Sequence, residues 1–207
     1  FAPAISKLFH EGENVELGIL YKQTAFIVNF LALPFCILII LFAEDILFLY
    51  NKSGDLSIYK TYLYILMFSR MISLFVGSSG MFMVMAGLEK KELKIKIINS
   101  LFLIIMSTLF IKKYELLAVV CLYVLSSLFI NFSQLYYIIK NIKISPFSKN
   151  FFYLYLISIC LIFFVINHDM DFGMFHFFII PLIVYVFYFI VFFKHILHIF
   201  RKIIRSD

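Results

Sequence analysis

One apolar stretch of the chain carries the residues best suited to contact an anion within a membrane. Arg70 is the charged residue that lies deepest in any such stretch, and Ser73, Gly77 and Gly80 follow it at intervals of three or four residues. In a continuous helix this spacing places all four on one face. A guanidinium group offers a rigid fork of donors that suits phosphate oxygens. We therefore expect Arg70, Ser73 and Gly77 to contact a substrate; the alternatives are snorkelling of the arginine and plain helix packing.

A second polar face is predicted in a later apolar stretch. Asn131 and Gln134 are three residues apart and therefore lie on the same side of a helix. Buried amides commonly bridge helices in membranes, and recognition of substrate hydroxyl groups by Asn131 is the alternative.

Three further residues are candidates for bending or close packing of helices. Pro34 lies in the middle of an apolar stretch, where proline removes one helical hydrogen bond and neighbouring helices must satisfy the freed carbonyl. Gly77 and Gly80 allow backbones to approach closely. We expect hinge or packing roles for all three.

Other kinds of chemistry have little support in the sequence. No Asp or Glu lies deep inside an apolar stretch, so we expect no ion-coupling carboxylate in this chain. A polar cluster that could ligate a metal is also explained as a solvated loop: His168, Asp169, Asp171 and His176. We expect no metal site, no cofactor, no catalytic residue and no nucleic-acid partner.

The composition indicates that helices in lipid must position these side chains. Of the 207 residues, 64% are hydrophobic and 14% are charged, with a mean hydropathy of +1.03. Soluble domains carry about 25% charged residues, so soluble globular and disordered classes are excluded. Alternating strands of a membrane barrel are absent from the pattern. We predict an all-α polytopic membrane protein.

Six segments are long enough to cross about 30 Å of hydrocarbon as helices. They are Gln23–Ala43, Tyr62–Ala86, Ile95–Ile111, Leu116–Ile139, Phe151–Ile166 and Phe175–Phe193. The predicted organisation is a cytoplasmic loop or amphipathic segment over 1–22, four transmembrane helices over 23–139, and a last helix pair with a basic cytoplasmic tail over 140–207.

The distribution of positive charge predicts the orientation. Thirteen of the 18 Lys and Arg residues fall on one set of alternate connections and four on the other, with Arg70 inside a span. Positive residues are retained on the cytoplasmic side, so both termini are expected there, with the basic tail on anionic lipids. The chain begins with Phe1 rather than Met, and we expect it to be a segment of a longer protein.

An ordered set of local patterns resembles one family of transporters. The patterns are FAPAISKLF at 1–9, Glu11-Gly-Glu and Tyr21 before the first span, Leu33-Pro34 within it, EDILFLY at 44–50, Gly-x-x-Gly at 77–80 and MAGLEKK at 85–91. Over roughly residues 1–142 this order resembles the polysaccharide flippases, the O-antigen and capsule-repeat translocases of the multidrug/oligosaccharidyl-lipid/polysaccharide exporter superfamily. The chain departs from the family pattern after Ile111, where it has KKYELLA at 112–118 in place of the proline and Gly-x-x-Gly-Ala stretch that the family often has.

The resemblance implies a fold, a function and partners. The family has 12–14 helices in two lobes, and this chain is similar to the C-terminal lobe. It implies flipping of an undecaprenyl-diphosphate-linked oligosaccharide across the bacterial inner membrane by alternating access, without enzymatic chemistry. The implied partners are that lipid-linked oligosaccharide, a separate N-terminal transmembrane lobe and a polysaccharide polymerase. Two alternatives stay open: a cation-coupled multidrug exporter of the same superfamily, and a membrane-embedded polysaccharide polymerase or ligase.

The predicted orientation can be tested by labelling single cysteines in the membrane. Lys90→Cys should react with a membrane-impermeant maleimide only from the cytoplasmic side, whereas Asp169→Cys should react only from the opposite side. Cys36, Cys121 and Cys160 are first replaced by Ser as the unlabelled control. The reverse pattern of labelling would contradict the orientation.

Overall fold

The computed structural model describes residues 2–50, 56–167 and 185–193, and about nine-tenths of these are helical, with no strand among them. The helices are α1 (Ala2–His10), α2 (Asn14–Leu41), α3 (Ala43–Tyr50), α4 (Ser57–Val76), α5 (Ser79–Met85), α6 (Glu89–Ile142) and α7 (Lys149–Asn167). Residues 185–193 form a further helix, α8. The predicted all-α class is confirmed.

Within the described residues, three helical segments are long and apolar enough to cross a membrane. They are α2, the α4–α5 segment Ser57–Met85, and α6. Large apolar side chains on their outer faces are exposed, including Leu31, Phe68 and Ile104, as expected of helices whose surroundings are hydrocarbon. The described part of the chain does not confirm the predicted number of six spans. Residues 175–184 of the sixth predicted span and the basic tail lie outside the described residues.

The 54-residue helix α6 is folded back on itself. Glu115 interrupts it with φ 45° and ψ −123°. In an uninterrupted helix Asn99 and Ser126 would be about 40 Å apart, yet Asn99 Nδ2 donates a hydrogen bond to Ser126 Oγ at 2.7 Å. Lys91 and Asn141, near the two ends, are also hydrogen-bonded. Residues 89–114 and 116–142 are therefore two antiparallel arms, and the turn lies between the third and fourth predicted spans.

The first helices differ from the predicted loop over 1–22. Helix α2 begins at Asn14, nine residues before the predicted start of the first span, and α1 precedes it across a turn in which Gly12 has φ 76°. Leu17 and Tyr21 are fully buried. The helix extends beyond the apolar stretch because tertiary packing stabilises it. The local sequence pattern does not predict that packing.

The predicted span Tyr62–Ala86 is broken into two helices. Helix α4 ends at Val76, and Gly77 has φ 72° and ψ −159°, a backbone conformation that side chains with a Cβ rarely adopt. The prediction of one continuous helix through Gly77 and Gly80 is therefore wrong. The local reason is the glycine, since a residue in this conformation cannot continue an α-helix.

Side chains from α2 and α7 satisfy carbonyl groups at the end of α4. Asn29 Nδ2 donates to Leu74 O at 2.7 Å, and the Tyr21 hydroxyl donates to Val76 O at 3.2 Å. The Tyr155 hydroxyl donates both to Met71 O and to Asn29 Oδ1.

The bond to Val76 O replaces a partner that water supplies at an exposed helix end. Leu74 O also accepts from Gly77 N at 2.9 Å, so the bond from Asn29 adds a second donor there. The break in α4–α5 is thus held by two neighbouring helices.

Helix α2 continues through Pro34, which is buried. Proline leaves the carbonyl of Phe30, four residues earlier, without its helical donor. The Tyr185 hydroxyl of α8 donates to the adjacent carbonyl, Leu31 O, at 2.7 Å. A neighbouring helix therefore contacts the backbone one residue away from the freed carbonyl. The hinge or packing role of Pro34 stays a prediction.

Two apolar clusters fill the bundle. The first joins α1, α2, α5 and both ends of α6, with Leu17, Tyr21, Phe82, Met83, Ile95 and Ile138 at its centre. The second joins α2, α4, α7 and α8 through Phe26, Leu33, Ile37, Met71, Leu154 and Tyr188. Helix α2 contributes to both clusters, which makes it the central helix of the described bundle.

Gly77→Ala is expected to destabilise the protein by about 1–3 kcal/mol. The new Cβ would lie 3.1 Å from Ala25 Cβ and would occupy a backbone conformation that favours glycine. Thermal unfolding in detergent measures the effect. Gly12→Ala is the matched control, because Gly12 also has positive φ but has no atom within 4 Å of the new Cβ. A Gly77→Ala melting temperature at or above that of Gly12→Ala would contradict the close approach.

Candidate functional site

A cluster of three polar side chains joins α4 to the second arm of α6. Ser73 Oγ and Ser127 Oγ are 2.6 Å apart, and Asn131 Nδ2 donates to Ser73 Oγ at 2.8 Å and to the Ser127 carbonyl at 2.7 Å. We call Ser73, Ser127 and Asn131 the serine–asparagine cluster. The structure thus brings together two of the residues predicted from the sequence, although they are 58 positions apart in the chain.

The third member of this cluster was missed in the sequence. Ser127 lies four residues before Asn131, on the same helical face. That spacing was a usable signal once Asn131 had been singled out. All three side chains are half-buried, so their hydroxyl and amide groups are paired with each other while still reachable from the surface.

Arg70 lies one helical turn before Ser73 and is exposed. Its guanidinium carbon is 5.0 Å from the centroid of the Tyr123 ring, and Tyr123 lies one turn before Ser127. The ring face attracts the cation and holds it beside the cluster. In the part of the chain that the structure describes, Arg70 makes no ion pair. The site therefore combines one uncompensated cation, one aromatic ring and a short line of hydrogen-bonding groups.

The two predicted glycines lie in different surroundings. The nearest atom to a Cβ on Gly77 would be Ala25 Cβ on α2, whereas a Cβ on Gly80 would lie 2.9 Å from Gln134 Nε2 and 3.1 Å from Glu92 Oε1. The prediction that Gly80 shares a face with Arg70 is wrong, because the helix that would have aligned them ends at Val76. A Cβ at either glycine would meet a neighbouring helix closely, and the hinge or packing role of both stays a prediction.

A carboxylate is buried where none was expected. Glu92 is 2% exposed. Gln134 Nε2 donates to both of its oxygens at 2.9 Å, and Lys96 Nζ lies 3.0 Å from Oε1. Ser79 Oγ donates in turn to Gln134 Oε1 at 2.6 Å. We call Ser79, Glu92, Lys96 and Gln134 the Glu92 network.

Glu92 precedes the predicted span Ile95–Ile111, so the expectation of no carboxylate deep inside a span is unaffected. The cause of its burial is tertiary. Glu92 lies in the first turn of α6, next to charged neighbours that made this stretch resemble a solvated connection. Helix α5 covers it, and Gly80 allows that helix to approach closely enough for Ser79 to reach the network. Pairing with an amide and a lysine offsets the cost of burying the charge.

Several predicted features lie outside the described residues. These are the polar loop with His168, Asp169, Asp171 and His176, and the basic tail from Lys194 onward.

No family model, no curated protein and no solved structure matches this chain significantly. The function is therefore argued from the geometry of the site and from the patterns in the sequence.

Gln134→Leu is expected to lower the free energy of unfolding by about 1–3 kcal/mol, because it removes two hydrogen bonds from the buried carboxylate. The double variant Glu92→Leu/Gln134→Leu should lose less than Gln134→Leu alone, since no buried carboxylate is then left without its donor. Denaturant titration in detergent gives both values. Glu92→Leu is the second single variant. A loss of unfolding free energy in the double variant equal to the sum of the losses in the two single variants would show that Glu92 and Gln134 are not coupled.

Proposed function

We propose that this chain is part of a flippase that moves an anionic, lipid-linked oligosaccharide across the bacterial cytoplasmic membrane during assembly of surface polysaccharide or O-antigen. The observation that carries the proposal is the position of Arg70 beside the serine–asparagine cluster. A guanidinium suits a pyrophosphate, and hydroxyl and amide groups suit the hydroxyls of sugars. A substrate that joins a diphosphate to an oligosaccharide needs both kinds of contact, one to its phosphates and one to its sugars.

The broken helix supports a transport mechanism. Discontinuous apolar helices commonly form the substrate sites of transporters, where one lobe rocks against another. Here Gly77 separates α4 from α5, and the cluster residue Ser73 lies one turn before the break. A small change of backbone angle at Gly77 would move α5 relative to Arg70 and Ser73. The site and the hinge are therefore close in the chain.

The proposal includes a particular arrangement in the membrane. The two arms of α6 count as separate spans. Together with α2, α4–α5, α7 and the predicted span Phe175–Phe193, of which α8 is the described part, they give six, with both termini in the cytoplasm. The substrate is an undecaprenyl-diphosphate-linked oligosaccharide. A separate N-terminal transmembrane lobe completes the cavity, and a polysaccharide polymerase receives the repeat units on the far side.

A second candidate is a cation-coupled multidrug exporter of the same superfamily. The buried Glu92 is the observation that favours it, because cationic substrates and coupling ions are typically bound by carboxylates within the membrane. In the described structure, however, both oxygens of Glu92 are already bonded to Gln134 and one to Lys96. A cation would have to displace those donors, which makes this candidate the weaker of the two.

Arg70→Ala in the encoded protein is expected to reduce surface polysaccharide about tenfold or more, because one charge-assisted contact to the diphosphate is lost. Arg70→Lys should retain an intermediate amount, since the charge stays but the fork of donors does not. Immunoblotting of surface polysaccharide measures both. Phe68→Ala, an exposed side chain on the same helix, is the matched control and should behave as the wild type.

The two candidates give opposite patterns in a paired experiment. For the flippase, Arg70→Ala removes polysaccharide while Glu92→Gln leaves most of it. For the exporter, Glu92→Gln abolishes resistance to cationic compounds while Arg70→Ala leaves it intact. Normal polysaccharide in an Arg70→Ala strain with normal protein levels would rule out the role of Arg70.

A further inference from the structure

A cavity of about 410 Å³ lies between the two arms of α6, away from the serine–asparagine cluster. Lys91, Lys94 and Ile98 line it from the first arm, and Phe129, Phe132 and Tyr137 line it from the second. We call this cavity the interarm groove. It takes part neither in the Glu92 network nor in the contacts of Arg70.

The interarm groove is polar at one end and apolar at the other. Lys91 and Ile98 are seven residues apart, or about 10 Å along the first arm. Because the arms are antiparallel, Tyr137 lies at the lysine end, where its ring centroid is 5.5 Å from Lys91 Nζ. Phe129, eight residues earlier in the second arm, lies about 12 Å away at the other end. Cations and phenol groups therefore face one end, and Ile98 and Phe129 face the other, with the hydroxyl of Ser133 midway between Phe129 and Tyr137 in the second arm.

The positive charge of this groove is not neutralised within the described chain. Lys91 donates to the neutral side chain of Asn141, and neither Lys91 nor Lys94 has an ion pair among the described residues. Lys96, by contrast, is paired with Glu92. Two ammonium groups without an ion pair among the described residues, at the entrance of a groove, attract an anion.

The groove faces away from the proposed substrate site. Successive residues of a helix are about 100° apart, so Phe129 and Tyr136 lie about 140–180° around the second arm from Ser127 and Asn131. Lys94, Phe132 and Tyr136 are exposed, which shows that the groove opens on the outer surface of the described bundle. A ligand from the surrounding lipid could enter it without passing Arg70.

We propose that the interarm groove binds an anionic phospholipid, with its phosphate at Lys91 and Lys94 and an acyl chain along Ile98, Phe129 and Phe132. The combination of cations at one end and hydrocarbon at the other matches the two parts of such a lipid. Basic recesses between membrane helices are suited to phosphate head groups, and phenol groups stabilise the interface between head group and acyl chain. This proposal does not rest on the proposed transport function.

Native mass spectrometry of the purified full chain tests the proposal with phosphatidylglycerol as the probe and phosphatidylcholine as the neutral comparison. The wild type should retain phosphatidylglycerol preferentially. Lys91→Gln/Lys94→Gln should bind it about tenfold more weakly or worse, because each lysine near a head group contributes appreciably. Lys112→Gln/Lys113→Gln is the matched control: it removes two exposed lysines from the other end of the same arm and should bind as the wild type.

Further variants separate the possible ligands. Phe132→Ala should weaken lipid binding, and excess inorganic phosphate should not displace the lipid, because it cannot fill the apolar end. Equal retention of phosphatidylcholine, equal losses in the two lysine double variants, or displacement by inorganic phosphate would each overturn the proposal. Arg70→Ala should keep lipid binding, so failure of this proposal and failure of the flippase proposal are distinguishable. Circular dichroism verifies that each variant is folded.

Discussion

Polar groups inside this apolar bundle must find their partners within the protein, because hydrocarbon offers none. That constraint explains the interruption at Gly77, where helix α4 ends inside the fold. The exposed carbonyls at this end would each cost free energy if left unpaired. Tyr21 from α2 donates to the last of them, Val76 O. Asn29 from α2 and Tyr155 from α7 donate to further carbonyls in the last two turns of the helix. In a soluble protein, water would bind the backbone at such a helix break. Here side chains of neighbouring helices bind it instead, and these contacts hold the helices in register.

The same constraint governs the two arms of α6. Asn99 bonds to Ser126 across the hairpin, and the Glu92 network closes its other end. The network also draws α5 onto both arms, because Gly80 leaves no Cβ between them. Polar contacts at widely separated positions in the chain thus determine how the arms align, while apolar packing, which is less directional, fills the space between them. Arg70 and the groove between the arms lie on the outer faces of the described bundle.

Parts of this arrangement were predictable from particular residues. Arg70, Ser73 and Asn131 stand out because polar groups are costly in apolar helices, and the structure brings Ser73 and Asn131 into contact and places Arg70 one turn away. The hairpin turn was also expected, since Lys112 to Glu115 separates two apolar stretches. The burial of Glu92 was not expected, because a carboxylate among lysines is typical of a solvated segment until the helix that covers it is known. Gly80 was assigned to the wrong face for a related reason: helical spacing is informative only while the helix continues, and Gly77 ends it.

The sequence by itself determined the helical class, the apolar character and the short list of polar residues inside it, because these follow from composition and local periodicity. Only the tertiary structure decided which polar groups meet, that Ser127 completes a cluster with Ser73 and Asn131, and that Glu92 is buried. Those outcomes depend on contacts between residues 40 or more positions apart, and nothing in the local pattern encodes them. Side-chain pairing in an apolar environment is a property of the folded bundle, since each donor is fixed only when its acceptor is in place.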